Sequence, residues 1–154
     1  MKQDNGHWEY PNEFDINEYV GFCYLITSLV SGKKYIGKKF FFMTTHKPPL
    51  KGKTRKRKVV KESNWKKYTG SSYDLNEEIA KVGKENFKFQ ILSLHENRSS
   101  LAFREIELIV MKHAVQSDKF WNGLIPGLRF KIKEYSDKEL ASFADINMED
   151  KEIL

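Results

Sequence analysis

The sequence is poor in cysteine: Cys23 is the only one in 154 residues. That excludes an internal disulfide and any zinc site built from several thiolates, and it fits a reducing compartment. Histidine is sparse as well. His7, His46, His95 and His113 form no i, i+4 pair, so a zinc site on a helix is not expected. No apolar run reaches the roughly 18 residues that a membrane-spanning helix needs. The start, MKQDNGHWEY, holds no apolar signal core, which argues against secretion. The expected location is the cytoplasm, with no membrane partner.

Acid is nearly missing from one long segment. Lys33 to Lys67 holds fourteen lysines or arginines and one acid, Glu62. That segment carries +13 in a chain whose net charge is +6, so the remainder carries −7. A basic block inside an otherwise acidic chain points to a polyanion. If about six to ten of these cations reach phosphates, affinity should fall roughly 10³–10⁵-fold between 50 and 200 mM salt. The blander alternative is a solvated basic surface. The KGKTRKRK run also has the form of a nuclear-import signal, but nothing else in the chain supports that reading.

What is present fits one domain with one core, 40% apolar and rich in aromatics. Its centre is Gly21 to Lys39, GFCYLITSLVSGKKYIGKK. Phe22, Tyr24 and Ile26 alternate with Cys23 and Leu25, the period of a strand. Ser31-Gly32 supplies a tight turn, and a second strand begins at Lys33. The hairpin sets Tyr24 and Tyr35 eleven residues apart, with Tyr35 between Lys33-Lys34 and Lys38-Lys39. Nearby ammonium groups favour phenolate, and the same charges would hold phosphate. Hence the expectation of a phosphodiester site with an acidified phenol.

Before the hairpin, residues 1–18 read as a polar arm fastened by Trp8, Tyr10 and Phe14. After it, Thr44 to Lys61 combines Pro48-Pro49, Gly52 and dense like charge. The expectation is a long basic loop or flap, with a short ribbon ending at Val59-Val60 as the variant. Ser63 to Ser72 mixes Trp65, Lys66, Lys67 and Tyr68, the aromatic-plus-cation content of a phosphate-and-sugar surface. A helix capped by Ser71 or Ser72 carries Leu75, Ile79 and Val82 and stops at Gly83. Asn86 to Leu94 alternates as a strand. Arg98 to Ala114 reads as a helix with one anomaly. Glu105 has Leu101, Ala102, Leu108 and Ile109 at its helical neighbour positions. A carboxylate on an apolar face is costly unless it is paired or binds a cation. A salt bridge to a lysine and a metal site both remain open. Glu107 is the rival acid, with Arg104 able to neutralise it. Leu124 to Ile132 is a candidate last strand. Ser136 and Glu139 have capping-box spacing for a short helix over about Asp137 to Ala144. Asp145 to Leu154 reads as a fraying acidic tail.

GFCYLITSLVSGKKYIGKKFF, then WKKYTGSS, then GKENFKFQIL, resembles the GIY-YIG nucleases, and within them the Seg-like endonucleases common in tailed phages. The resemblance covers about Trp8 to Phe130. It implies an α/β (α+β) domain over 19–132, with a central three-stranded mixed or antiparallel sheet flanked by helices. The basic insertion at about 44–61 would follow the second strand, and 133–154 would form a short C-terminal helix and tail. It implies a metal-dependent endonuclease that hydrolyses DNA, with Mg²⁺ or Mn²⁺ and no small-molecule cofactor, acting in a host cytoplasm if phage-encoded. By position, Tyr24 and Tyr35 line the site, Glu105 holds the metal and Asn122 orients a neighbour. Gly37 would let its strand approach the next helix. The first motif, Gly-Phe-Cys-Tyr, is one residue longer than the family's, and the family's arginine has no match near Thr45. Lys66, Lys67 and Tyr68 are the candidates for its role, with Lys39 behind them. Lys38, Lys39, Lys53, Arg55, Arg57 and Lys67 are the expected nucleic-acid contacts. The alternatives are a non-catalytic nucleic-acid-binding protein on the same fold and a ribosomal-protein-like basic module. Oligomeric state is left open by the sequence.

Overall fold

A computed structural model describes residues 3–128, 131–147 and 152–153. The hairpin forms as β1 (Gly21–Ser28) and β2 (Lys34–Phe40), paired antiparallel with Tyr24 opposite Gly37. The third strand, β5 (Phe87–His95), pairs antiparallel with the other side of β1. The sheet order is thus β2-β1-β5, wholly antiparallel, with β1 in the centre. Its register shifts between Cys23 and Tyr24. Such a bulge re-aims a side chain, here next to the first tyrosine.

Strand alternation sends the two faces of β1 into different cores. Phe22, Tyr24 and Ile26 join Trp8, Phe41, Trp65, Leu75 and Phe89 on an aromatic face. Cys23 and Leu25 join Ile36, Leu92, Leu101, Leu108 and Ile109 on an aliphatic face. Helix α2 (Arg98–Met111) supplies most of the aliphatic face. Asn97 caps it by accepting from the Ser100 amide, which satisfies one of the open donors of the first turn. The aromatic face is covered by short α1 (Tyr73–Val82), by the 65–72 connection and by the N-terminal arm. Ser72 is the cap of α1. The arm is part of the body. Trp8 donates its indole N–H to the Trp65 carbonyl, and Glu9 pairs with β5 through Phe89 and Ile91.

Three expectations change. The insertion is a two-stranded antiparallel ribbon, β3 (Phe42–Lys47) with β4 (Arg57–Glu62), rather than a loop. Thr44 and Thr45 face Val60 and Val59 across it. Branched side chains favour this pairing, and like charges tolerate it because they stay in water. Residues Leu124 to Gly127, with Leu128, form no strand. Pro126 cannot donate to a ladder, and Phe130 of that segment lies outside the described residues. The final segment is not simply frayed: β6 (Ile146–Asn147) pairs with β7 (Glu152–Ile153). Between these, α3 (Asp137–Ala141) carries the expected capping box of Ser136 and Glu139, though it stops short of Ala144.

Glu139 is also the hub of a buried lock. Its carboxylate accepts from the Ser100 hydroxyl and from the Glu96 and Ser136 amides, and it lies 3.2 Å from His95 Nδ1. This ties α3 to β5 and to the first turn of α2. Burial holds His95 down at about 4 although Glu139 pulls it upward, so the imidazole is neutral near pH 7. Those hydrogen bonds keep the Glu139 carboxyl below its usual range, against the opposing effect of burial.

Candidate active site

The candidate residues gather along β2, the edge strand, and reach it from both faces of the sheet. Tyr24 lies within the aromatic face and is 1% exposed. Its hydroxyl lies over Gly37, where an added Cβ would stand 2.3 Å away. The missing side chain at Gly37 therefore makes room for a phenol, and not for a helix as the resemblance implied. Gly70, at φ +86°, closes the other side. A Cβ there would lie 3.3 Å from both the Tyr24 hydroxyl and the Tyr35 ring.

Tyr35 and Tyr68 complete a trio, their ring centroids 6.3 and 6.1 Å from that of Tyr24. The Tyr35 hydroxyl lies 3.1 Å from Ser71 Oγ, at the surface. Tyr68 is held by its neighbours in the chain. Trp65 is buried and donates to Glu62 at 2.9 Å, and the Tyr68 carbonyl meets His7 Nε2 at 2.8 Å. Gly70 and Ser71 were not singled out for the site from the sequence. Their signal was the small, polar Gly70-Ser71-Ser72 directly after an aromatic-cation run.

The acidified phenol is not found at Tyr24. Burial first, then the charges of Tyr35, Tyr68 and Glu105, push its pKa well above the ordinary value. Tyr68 is raised too, chiefly by burial, with hydrogen bonding from Ser71 and Tyr24 acting the other way. The four lysines around Tyr35 fan out. Lys33 lies over the Trp121 ring, Lys34 bonds the Gly32 carbonyl and Lys38 turns to the opposite face. Lys39 alone stays with the tyrosines, 4.1 Å from the Tyr68 ring centroid.

Glu105 comes from the aliphatic side. Its helix lies across the sheet from the phenols, and its carboxylate pairs with Lys38 at 3.1 Å, the salt bridge to a lysine that the sequence left open. It is 8% exposed. Its charge contributes to the rise of both Tyr24 and Tyr68, so it lies within electrostatic reach of them. Phenols and acid thus lie on opposite faces of the sheet at neighbouring positions of β2, Tyr24 over Gly37 and Glu105 on Lys38. Glu107 is neutralised as expected, by Arg104 at 3.4 Å, and accepts from Tyr135.

Asn122 serves the same strand from outside. Its Oδ1 accepts from the Ile36 amide at 2.9 Å, and its Nδ2 donates to the Ile36 carbonyl at 2.8 Å. With Lys119 and Trp121 bonded to Lys34, the 119–122 segment acts as a surrogate strand along β2. Lys66 is not brought to the tyrosines. It pairs with Asp4 at 3.3 Å. Lys67 is exposed nearby, while Lys53, Arg55 and Arg57 stand exposed on the ribbon.

The model of the family described as "Putative endonuclease segE, GIY-YIG domain" matches residues 7–125. The chain belongs to this GIY-YIG family. No curated protein and no solved structure matches it. Membership implies a nuclease with a DNA substrate, and GIY-YIG nucleases generally use divalent metal ions. Among the described residues of this GIY-YIG chain, no group of three or more His, Cys, Asp or Glu gathers to hold a metal. Glu105, the carboxylate that would hold such an ion, is paired with Lys38, so a hard ion would have to share it with that ammonium. No described helix is long and apolar enough to cross a membrane.

Proposed function

We propose that this chain is an endonuclease that hydrolyses DNA phosphodiesters with Mg²⁺ or Mn²⁺, at the rim of β2. The observation that supports the reading is the grouping of Tyr24, Tyr35 and Tyr68 about Gly37 and Gly70, with the charge of Glu105 acting on Tyr24 and Tyr68.

The roles follow from exposure and charge. Tyr35 has the surface hydroxyl, with Ser71 3.1 Å away to orient it, so its phenolate form would take the proton from the attacking water and become the phenol. Tyr24 stays protonated at neutral pH because it is buried. It serves as a fixed donor behind Tyr35 and Tyr68. Lys39, beside the Tyr68 ring, neutralises charge on the phosphate, the role that the sequence assigned to Lys66. Glu105 would hold the divalent ion. When bound, that ion supplies charge stabilisation at the phosphate and leaving oxygen. Lys38, paired with Glu105 at 3.1 Å, fixes the carboxylate against β2. Asn122 holds β2, and with it Tyr35, in register.

The test is cleavage of plasmid DNA with Mg²⁺ or Mn²⁺, comparing the unaltered chain with Glu105→Ala and Tyr35→Phe. Both substitutions should lower the rate by about 10²-fold or more, the scale of a lost general base. Full activity in either variant would remove its assigned role. If the unaltered chain binds DNA but does not nick it at any concentration of either metal, the chain is a binding protein on a nuclease fold.

A further inference from the structure

We propose that the β3–β4 ribbon inserts into the major groove of duplex DNA beside the cleavage site. This deepens the nuclease reading and rests on its DNA partner, though not on cleavage. The argument begins with which face of the ribbon is charged. Cross-strand pairs place His46 opposite Lys58 and, one residue on, Lys47 opposite Arg57. Neighbours on a strand point to opposite faces, so the far end of the ribbon is basic on both. An element lying flat on a polyanion needs cations on one face only. An element standing in a groove meets a phosphate wall on each side.

The rest of the ribbon fits the same seat. Lys47, Arg57 and Lys58 are exposed. Arg57 bonds the Pro48 carbonyl through Nε at 3.2 Å, which leaves the rest of its guanidinium to face outward. The single acid, Glu62, is at the root and is held there by Trp65. The root itself is fixed to the body, where Ser63 bonds the Phe40 and Phe41 carbonyls at 2.6 and 2.8 Å. A two-stranded ribbon fits the major groove of B-form DNA, about 12 Å wide. It does not fit the deep, narrow major groove of A-form RNA.

The experiment is equilibrium binding to a 30-base-pair duplex in chelator, followed across a salt series. Lys58→Gln and Lys47→Gln, one from each face, should each flatten the log-log salt slope by about 1. Bulky groups at C5 of the pyrimidines, which project into the major groove, should weaken binding at least tenfold, whereas a minor-groove ligand should not compete. Matched duplex RNA should bind more weakly than the DNA. Loss from one face alone, indifference to C5 bulk, or equal binding of RNA would each overturn the proposal. Without metal, binding does not depend on cleavage. A negative result therefore leaves the nuclease reading standing, and a chain that never cuts leaves this one standing.

Discussion

The two faces of the sheet are built from different materials. One is aromatic and is covered by an arm, a connection and a short helix. The other is aliphatic and is covered mainly by one longer helix. Aromatic packing supplied by irregular segments leaves phenol hydroxyls at its margin, because tyrosine has an apolar body and a polar tip. An aliphatic helix face offers no such tips, and what it brings to β2 is the Glu105 carboxylate on Lys38. Neither face holds a complete hydrolytic set. The proposed set draws on both, across the edge strand whose Gly37 leaves room for Tyr24 and whose Lys38 pairs with Glu105.

If that division is right, filling Gly37 should do the most damage. Gly37→Ala places a methyl 2.3 Å from the Tyr24 hydroxyl and 2.5 Å from its Cζ. Tyr24 is packed against Trp8 and Phe22 and has little room to retreat. Cleavage should fall by about 10²-fold or more, the scale of a displacement of roughly 1 Å in a positioned group. Plasmid nicking measures it. Near-normal nicking would show that the phenol does not depend on that gap.

The second test works through the aliphatic side. His95 is neutral in the fold at about pH 4 and above, against an ordinary value of 6.5. The unfolded chain therefore binds more protons between those values, and stability must rise with pH across that window. It is complete above about 6.5 and is lost as the pH falls toward 4. Glu139, depressed in the fold, adds a loss of the same sign as the pH drops below its ordinary range. The cost on acidification is on the order of 3 kcal/mol. Denaturant midpoints at pH 7 and pH 4.5 read it. His95→Gln should flatten the curve, and an unchanged curve in that variant would place the acid sensitivity elsewhere.

Much of this was legible in the residues themselves. Period-two alternation marked both faces of β1, and Glu105 showed itself by standing among leucines. The capping box of α3 was local and therefore readable. What stayed hidden depended on direction in space. Four lysines crowd around Tyr35 in the sequence, but in the fold their ammonium groups point in different directions. The ribbon entered only as the variant reading, because charge and proline suppress a strand prediction, whereas solvated strands tolerate both near their ends. Nor does the one-dimensional spacing show that the acid's helix and the phenols lie on opposite faces of the sheet.

A smaller effect should come from Asn122, which holds the edge strand without touching the proposed chemistry. Asn122→Ala removes both partners of the buried Ile36 peptide group. Unsatisfied buried polar groups cost about 1–3 kcal/mol, so thermal unfolding should shift downward by that order. Cleavage below the new midpoint should fall less than in Gly37→Ala, since β1 still pairs with β2.

The smallest effect sharpens the boundary of the site on the aromatic side. Lys66 and Lys39 both flank the aromatic connection, but only Lys39 lies against Tyr68, while Lys66 reaches out to Asp4 on the arm. An exposed ion pair of that kind contributes about 0–1 kcal/mol. Lys66→Ala should therefore change nicking by less than about threefold, whereas Lys39→Ala should lower it at least tenfold, as expected of a cation facing the phosphate. Equal losses in the two variants would mean that Lys66 swings inward when DNA binds. The functional rim would then extend past the tyrosines to the N-terminal arm.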